Sequence, residues 1–199
     1  KMESFYKWQK DGYDAFREGL LHARPILIES LPLKKDTKMI WIDVGGGTAR
    51  NLEFFTVDII RKYFKKIVIV DISASLLEVA QQRINKMGLS DIVTVVEADC
   101  TDDIALKKIP VELGTVDIIT ISYSLSMIPN QQAAINNSTK LLKGNGQGIL
   151  AIADFFLEGN HDDCLPRFPR KFRQFESKCH KAWFAMDHVH LLGEKQLTM

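Results

Sequence analysis

Three carboxylates that close apolar runs, Asp43, Asp71 and Asp99, are the residues of this 199-residue chain best spaced to do chemistry. Asp43 follows Met39-Ile40-Trp41-Ile42 and leads through Val44 into Gly45-Gly46-Gly47-Thr48. A short apolar run, then glycines, then a helix-compatible segment from about Thr48 reads as the first strand-to-helix turn of a doubly wound sheet. Glycines let the backbone approach a ligand closely, and the N–H groups of a helix start suit a polar or anionic group. The spacing also discriminates among ligands. A dinucleotide fingerprint, G-x-G-x-x-G, begun at Gly45 needs a glycine where this chain has Arg50. Asp43, ahead of the turn, is expected to point a carboxylate into the site and repel a pyrophosphate. A nicotinamide oxidoreductase is therefore the least favoured reading, and a ligand-free tight turn is the bland one. Asp71 ends K-I-V-I-V-D, where a carboxylate at the next strand tip can accept both ribose hydroxyls. Asp99 follows a third apolar run and is placed to take the exocyclic amine of adenine; its alternative role is to cap the next turn. A nucleoside across three strand ends is the ligand these residues predict.

The elements that must position them follow from periodicity. Residues 1–31 place Phe5, Trp8, Tyr13, Phe16, Leu20, Ala23 and Leu27 at three- and four-residue spacing, the apolar face of a helical lead-in. Tyr13, Arg17 and Arg24 lie along it, able to reach back over the site; surface arginines with buried stems are the alternative. Strands are expected at about 38–44, 66–71, 92–97, 116–121 and 148–155. Helices are expected at about 49–64, 74–87 (capped by Ser73 and stopped by Gly88) and 131–142, with a short one between Asp102 and Pro110. Strands alternating with helices give an α/β fold with a parallel sheet. Residues 156–199 break the pattern. Between Arg167 and Phe184 they interleave basic and aromatic residues, as an amphipathic helix with a cationic side would.

Composition bounds the rest. With 46% hydrophobic residues the chain can bury one core, and a single domain over 1–199 is expected: a cap at 1–37, a core at 38–155 and an extension at 156–199. A net charge of +1 gives no global field to recruit nucleic acid. Three scattered cysteines, Cys100, Cys164 and Cys179, suggest neither a disulfide framework nor a zinc site and fit a cytoplasmic setting. His161, His180, His188 and His190 lack a ligand-pair spacing, so no metal is expected. No apolar run approaches the ~20 residues of a membrane span. The chain starts at Lys1, which suggests a fragment of a larger protein.

D-V-G-G-G-T at 43–48 resembles motif I of class I S-adenosylmethionine (SAM) methyltransferases. Extended to D-V-G-G-G-T-A-R-N (43–51) and taken with Y-D-x-F-R-E-G-L-L (13–21), V-D-I-S (70–73), I-S-Y-S-L-S-M-I-P (121–129), A-D-F (153–155) and A-W-F-x-x-D-H-V (182–189), it resembles the methyltransferase module of betaine-lipid synthases. That resemblance implies a Rossmann-like core with helices on both faces, SAM as methyl donor with S-adenosylhomocysteine as product, and three methylations of the homoserine amine of a diacylglyceryl lipid. It implies cofactor roles for Tyr13, Arg17, Arg24, Asp43, Gly45, Gly47, Thr48, Asp71, Ile72, Asp99, Cys100 and Ser122. One departure is Ala49, where relatives are expected to carry glycine; a methyl is tolerated if that residue is helical. A fused or partner domain that adds the homoserine moiety is also implied.

The loop after the fourth strand should face the transferred group. An uncharged amine would attack the sulfonium methyl, with positioning and desolvation supplying most of the acceleration. Asp154 is the candidate for holding the ammonium, and Tyr123 and Trp183 for stabilising the product cation through their rings. A lipid acceptor would bring the enzyme to an intracellular membrane, and 167–184 is the candidate contact, each basic group contributing ~1 kcal/mol near anionic headgroups. The rival readings are a methyltransferase for a small soluble amine or a quinone, and a silent SAM-fold docking subunit.

Overall fold

The computed structural model describes residues 23–154. Within them lie strands β1 (Met39–Val44), β2 (Phe64–Asp71), β3 (Val93–Glu97), β4 (Ile118–Ser122) and β5 (Ile149–Ala153). They form one sheet in the order β3-β2-β1-β4-β5, with every neighbouring pair parallel. The expected parallel α/β architecture is the one found. The strand order reverses between β1 and β4, and in such sheets ligands bind at the carboxyl ends beside that switch point.

Both faces of the sheet are covered, which is why its central strands read as unbroken apolar runs. All six residues of β1 are buried. Met39 and Trp41 join Ile67 and Ile69 on one face, against Leu77, Ala80 and Ile84. Ile40, Ile42 and Val44 join Val68 and Val70 on the other, with Ala134 and Leu141. The Trp41 ring, wholly buried, packs against Phe64 and Phe55 with centroids 5.4 and 6.2 Å away.

Helices α1 (Ala23–Glu29), α2 (Val57–Tyr63), α3 (Ala74–Met87) and α4 (Gln131–Leu141) complete the layers. The ends of α3 are those expected: Ser73 accepts from the Leu76 N–H, and Gly88 closes it at a φ of 68°. Its buried Leu77, Ala80 and Ile84 recur at helical spacing and form the inner face. Of the helical lead-in, residues 23–31 belong to the described part, with Ile28 wholly buried. Tyr13, Arg17, Trp183 and the 167–184 stretch lie outside it.

The long helix expected at 49–64 is a correction. Ala49 is left-handed at a φ of 58°, a 3-10 turn follows over Arg50–Phe54, and α2 starts only after Thr56, whose hydroxyl accepts from the Ile59 N–H at 3.3 Å. A threonine that satisfies a helix-start N–H ends one element and begins another, and apolar spacing does not register that. Chain then passes directly from Tyr63 into β2 at Phe64. The short helix expected after Asp103 is a 3-10 turn, Ala105–Lys108. Ala49 is thus not helical, and its methyl survives for another reason. Left-handed backbone costs an L-residue ~1–2 kcal/mol. Against this, burying one methyl contributes ~0.8 kcal/mol, and glycine in its place would lose ~0.5–1 kcal/mol of chain entropy. These offset each other. Ala49→Gly is expected to shift unfolding free energy by less than about 1 kcal/mol in a denaturant melt, whereas Ala49→Val, β-branched at positive φ, should cost about 2 kcal/mol or more.

Candidate functional site

A cavity opens at the switch point, over the glycine turn after β1. Gly45 and Gly46 donate to the Val70 carbonyl at 2.8 and 3.2 Å, which pins the turn to the end of β2. Gly45 must be glycine: its φ is 64°, and a Cβ there would stand 2.4 Å from the Ser124 Cβ. That close approach joins the turn to the loop after β4, so both form one wall. The Gly47 N–H faces outward and donates to Asp71 Oδ2 at 2.8 Å.

Asp71 occupies the predicted place. The Ser73 N–H holds its Oδ1 at 2.9 Å while Gly47 holds Oδ2, so the carboxylate is fixed at the cavity rim. A carboxylate held this way at a cavity rim is the type of group that accepts from ligand hydroxyls. Ile72, about half exposed, and Leu76 give this side an apolar surface. At the end of β3, Asp99 both lines the cavity and caps its own turn, its Oδ1 accepting from the Thr101 N–H and hydroxyl at 2.8 and 2.7 Å. Cys100 lines the same side, and burial pushes its thiol up to about 11, with the Asp99 charge adding to the effect. The thiol stays neutral, so no thiolate stands in the cavity to act as a nucleophile.

Arg24, Thr48 and Ser122 also line the cavity, as do Tyr123, Ser124, Met127, Ile128 and Pro129 from the 121–129 string. Tyr123 holds a left-handed conformation (φ 53°), and its hydroxyl accepts from the Ala23 N–H at 3.0 Å, tying the loop to the start of α1. Of the predicted site residues among those described, two stand elsewhere. Asp43, expected to project into the site, is wholly buried beneath the turn and does not line the cavity. Its oxygens are taken up inside the protein: the Thr120 hydroxyl donates to Oδ1 at 2.6 Å, and the Asn51 amide donates to Oδ1 and Oδ2 at 3.0 and 2.9 Å. Asp154 is likewise outside the lining; its Oδ2 accepts from the Ser126 N–H at 3.0 Å and so braces the 124–127 turn.

Sequence reasoning passed over Asn51, the last letter of the glycine-turn string. It lines the cavity although only 3% exposed, and its Nδ2 bridges Asp43 and the Ser122 hydroxyl, 2.9 Å away. The signal was an uncharged polar residue just ahead of Leu52 and Phe54, but its partners come from β1 and β4 and no spacing announces them.

A family model described as the ubiE/COQ5 methyltransferase family matches residues 26–156. The chain belongs to that family. Among its relatives is a ubiquinone/menaquinone biosynthesis C-methyltransferase UbiE of Allorhizobium ampelinum, 31% identical over 150 residues, which cover 71% of this chain and 55% of the relative. A protein of the same name from Agrobacterium fabrum is 27% identical over 150 residues, covering 73% of this chain and 54% of the relative. The chain spans about half the length of the curated relatives it matches. Among solved structures, a SAM-dependent methyltransferase from Aquifex aeolicus superposes with a TM-score of 0.58 at 20% identity, over 89% of this chain and 86% of its own. The cyclase SpnF gives 0.60 at 19% identity, over 88% of this chain and 53% of its own. Since one neighbour is a cyclase, the fold is shared beyond one reaction and the site must carry the functional argument.

The buried carboxyl of Asp43 makes a testable signature. Burial raises it to about 6 from 3.8, while bonds from Thr120 and Asn51 and the nearby Arg24 charge pull it back only in part. The folded state therefore binds this proton more tightly than the unfolded state. Its contribution to stability is full below pH 4 and is lost as pH rises towards 6. In parallel urea melts, the wild type should lose on the order of 3 kcal/mol relative to Asp43→Asn across that window, and the difference should be flat above it.

Proposed function

We propose that this chain binds SAM across the ends of β1, β2 and β3 and methylates a lipophilic acceptor against the loop after β4. The observation that carries this reading is the Asp71 carboxylate at the end of β2, fixed at the cavity rim by the Gly47 and Ser73 N–H groups. The donor set fits a nucleoside: Asp71 would hold the sugar hydroxyls and Asp99 the adenine amine, with Ile72 and Leu76 against the base. Thr48, Gly45 and Gly47 would border the methionyl chain, and Arg24 would meet its carboxylate, joined by Tyr13 and Arg17 from the lead-in. Bound SAM supplies an activated methyl group. The chain's own part is to orient the acceptor and exclude water, for which Tyr123, Met127, Ile128 and Pro129 offer a largely apolar wall.

The relatives' names, ubiquinone/menaquinone biosynthesis C-methyltransferase, favour a carbon acceptor of the quinone class. A second reading, the amine of a homoserine lipid, rests on the resemblance carried by the S-Y-S-L-S-M-I-P string, six of whose residues line the cavity. Under it, Tyr123 and Trp183 would stabilise the product cation, 167–184 would contact the membrane surface, and a second domain would supply the homoserine lipid.

Incubating the protein with methyl-labelled SAM and, separately, a demethylated quinol and diacylglyceryl-homoserine micelles decides between them. Label in the quinone supports the first acceptor and label in the lipid the second. Micromolar SAM binding with neither product would mean a silent docking module. Asp71→Ala should weaken SAM binding at least tenfold with the fold intact by circular dichroism; unchanged affinity would sink the proposed site.

A further inference from the structure

Asn51 presents a hydrogen-bonding imbalance that the proposed reaction has not used. The residue is almost wholly buried, with 3% exposure, and is one of those that line the cavity. The amide nitrogen is fully engaged, donating to both oxygens of Asp43 and to the Ser122 hydroxyl at 2.9–3.0 Å. The amide oxygen is buried and has no hydrogen-bond partner. An orphaned buried acceptor costs about 1–3 kcal/mol, and each such group in a folded protein asks for a donor. Flipping the amide is no remedy, because the oxygen would then face the Asp43 carboxylate, which offers it no proton when ionised.

The surroundings define the missing donor. Asp43 lies directly behind the amide, polarises it through two hydrogen bonds and makes its oxygen a stronger acceptor. A buried carboxylate one residue away also favours positive charge at this end of the cavity. Arg24, which lines the cavity near Asp43, would take a carboxylate in the same region. A ligand group with an ammonium and a carboxylate on one carbon satisfies both.

We infer that the Asn51 amide oxygen accepts a hydrogen bond from the α-ammonium of the bound SAM, and that Asp43 acts on the ligand only through Asn51. This rests on the SAM reading above. It makes Asn51 a binding residue and Asp43 a positioning residue that never touches the ligand.

The test is isothermal titration of the full chain with S-adenosylhomocysteine and with its analogue carrying hydrogen in place of the α-amino group. Asn51→Ala should weaken S-adenosylhomocysteine at least tenfold and the deaminated analogue less than twofold. Because that variant strips Asp43 of a donor and can fail to fold, the exchanged pair Asp43→Asn with Asn51→Asp is the companion. It keeps volume, charge and the hydrogen bond between the two side chains while presenting a carboxylate oxygen to the ammonium. The pair should bind S-adenosylhomocysteine at least as tightly as wild type, again without helping the analogue. Equal losses for both ligands in the folded variants would overturn the inference and leave Asn51 as scaffold. Wild type that binds neither ligand would instead overturn the SAM reading itself, and the inference with it.

Discussion

A single buried carboxylate, Asp43, ties the strand ends of this domain together. The Trp41 indole N–H donates to the Thr120 hydroxyl at 2.8 Å, and that hydroxyl donates to Asp43. Asn51 then links Asp43 to Ser122. One chain of hydrogen bonds thus joins β1, β4 and the turn between β1 and α2, with no water needed. In the dry interior each of these bonds is strengthened by its neighbours, and each would leave a costly orphan if broken. The arrangement accepts the expense of a buried, largely ionised carboxyl in return for fixed geometry at the glycine turn.

From that anchor the site follows by steric necessity. Gly46 lies where a Cβ would stand 2.9 Å from Asp43 Oδ2 and 2.8 Å from Ile69, so the turn sits directly on the carboxylate. Gly45 in turn touches Ser124, whose hydroxyl donates to the Val44 carbonyl at 3.1 Å. The two loops that flank the switch point are therefore packed on each other and on Asp43. The outward Gly47 N–H, and with it the orientation of Asp71, inherits this rigidity. Preorganised donors and acceptors of this kind hold a ligand without having to be ordered on its arrival.

The wall after β4 is strained where it meets the cavity. Tyr123 at positive φ is an uncommon conformation for an aromatic residue. It is held at three points: its N–H donates to the Ala153 carbonyl at 2.7 Å, its hydroxyl accepts from α1, and its ring packs with Ala153 and Leu27. Asp154 adds a brace from the end of β5. The residue that sequence reasoning set down as a catalytic carboxylate is thus part of the support for the loop that lines the cavity.

The sequence by itself determined the sheet, the order of its elements and the carboxylate at the end of β2. Largely apolar runs of strand length with Asp43, Asp71 and Asp99 at or near their ends, separated by segments of helical period, have few other ways to bury both faces. Asp71 was legible because a strand-end carboxylate beside a glycine turn is a local pattern. What tertiary structure alone decided is the direction in which polar groups face. Asp43 and Asp154 look like site residues in one dimension, and packing turned the first inward and gave the second to Ser126. Asn51 looks like filler, and contacts from two distant strands made it part of the cavity wall. Ala49 shows the same limit in the backbone: no spacing rule distinguishes a helical alanine from a left-handed one, because the close packing that imposes the turn comes from across the sheet.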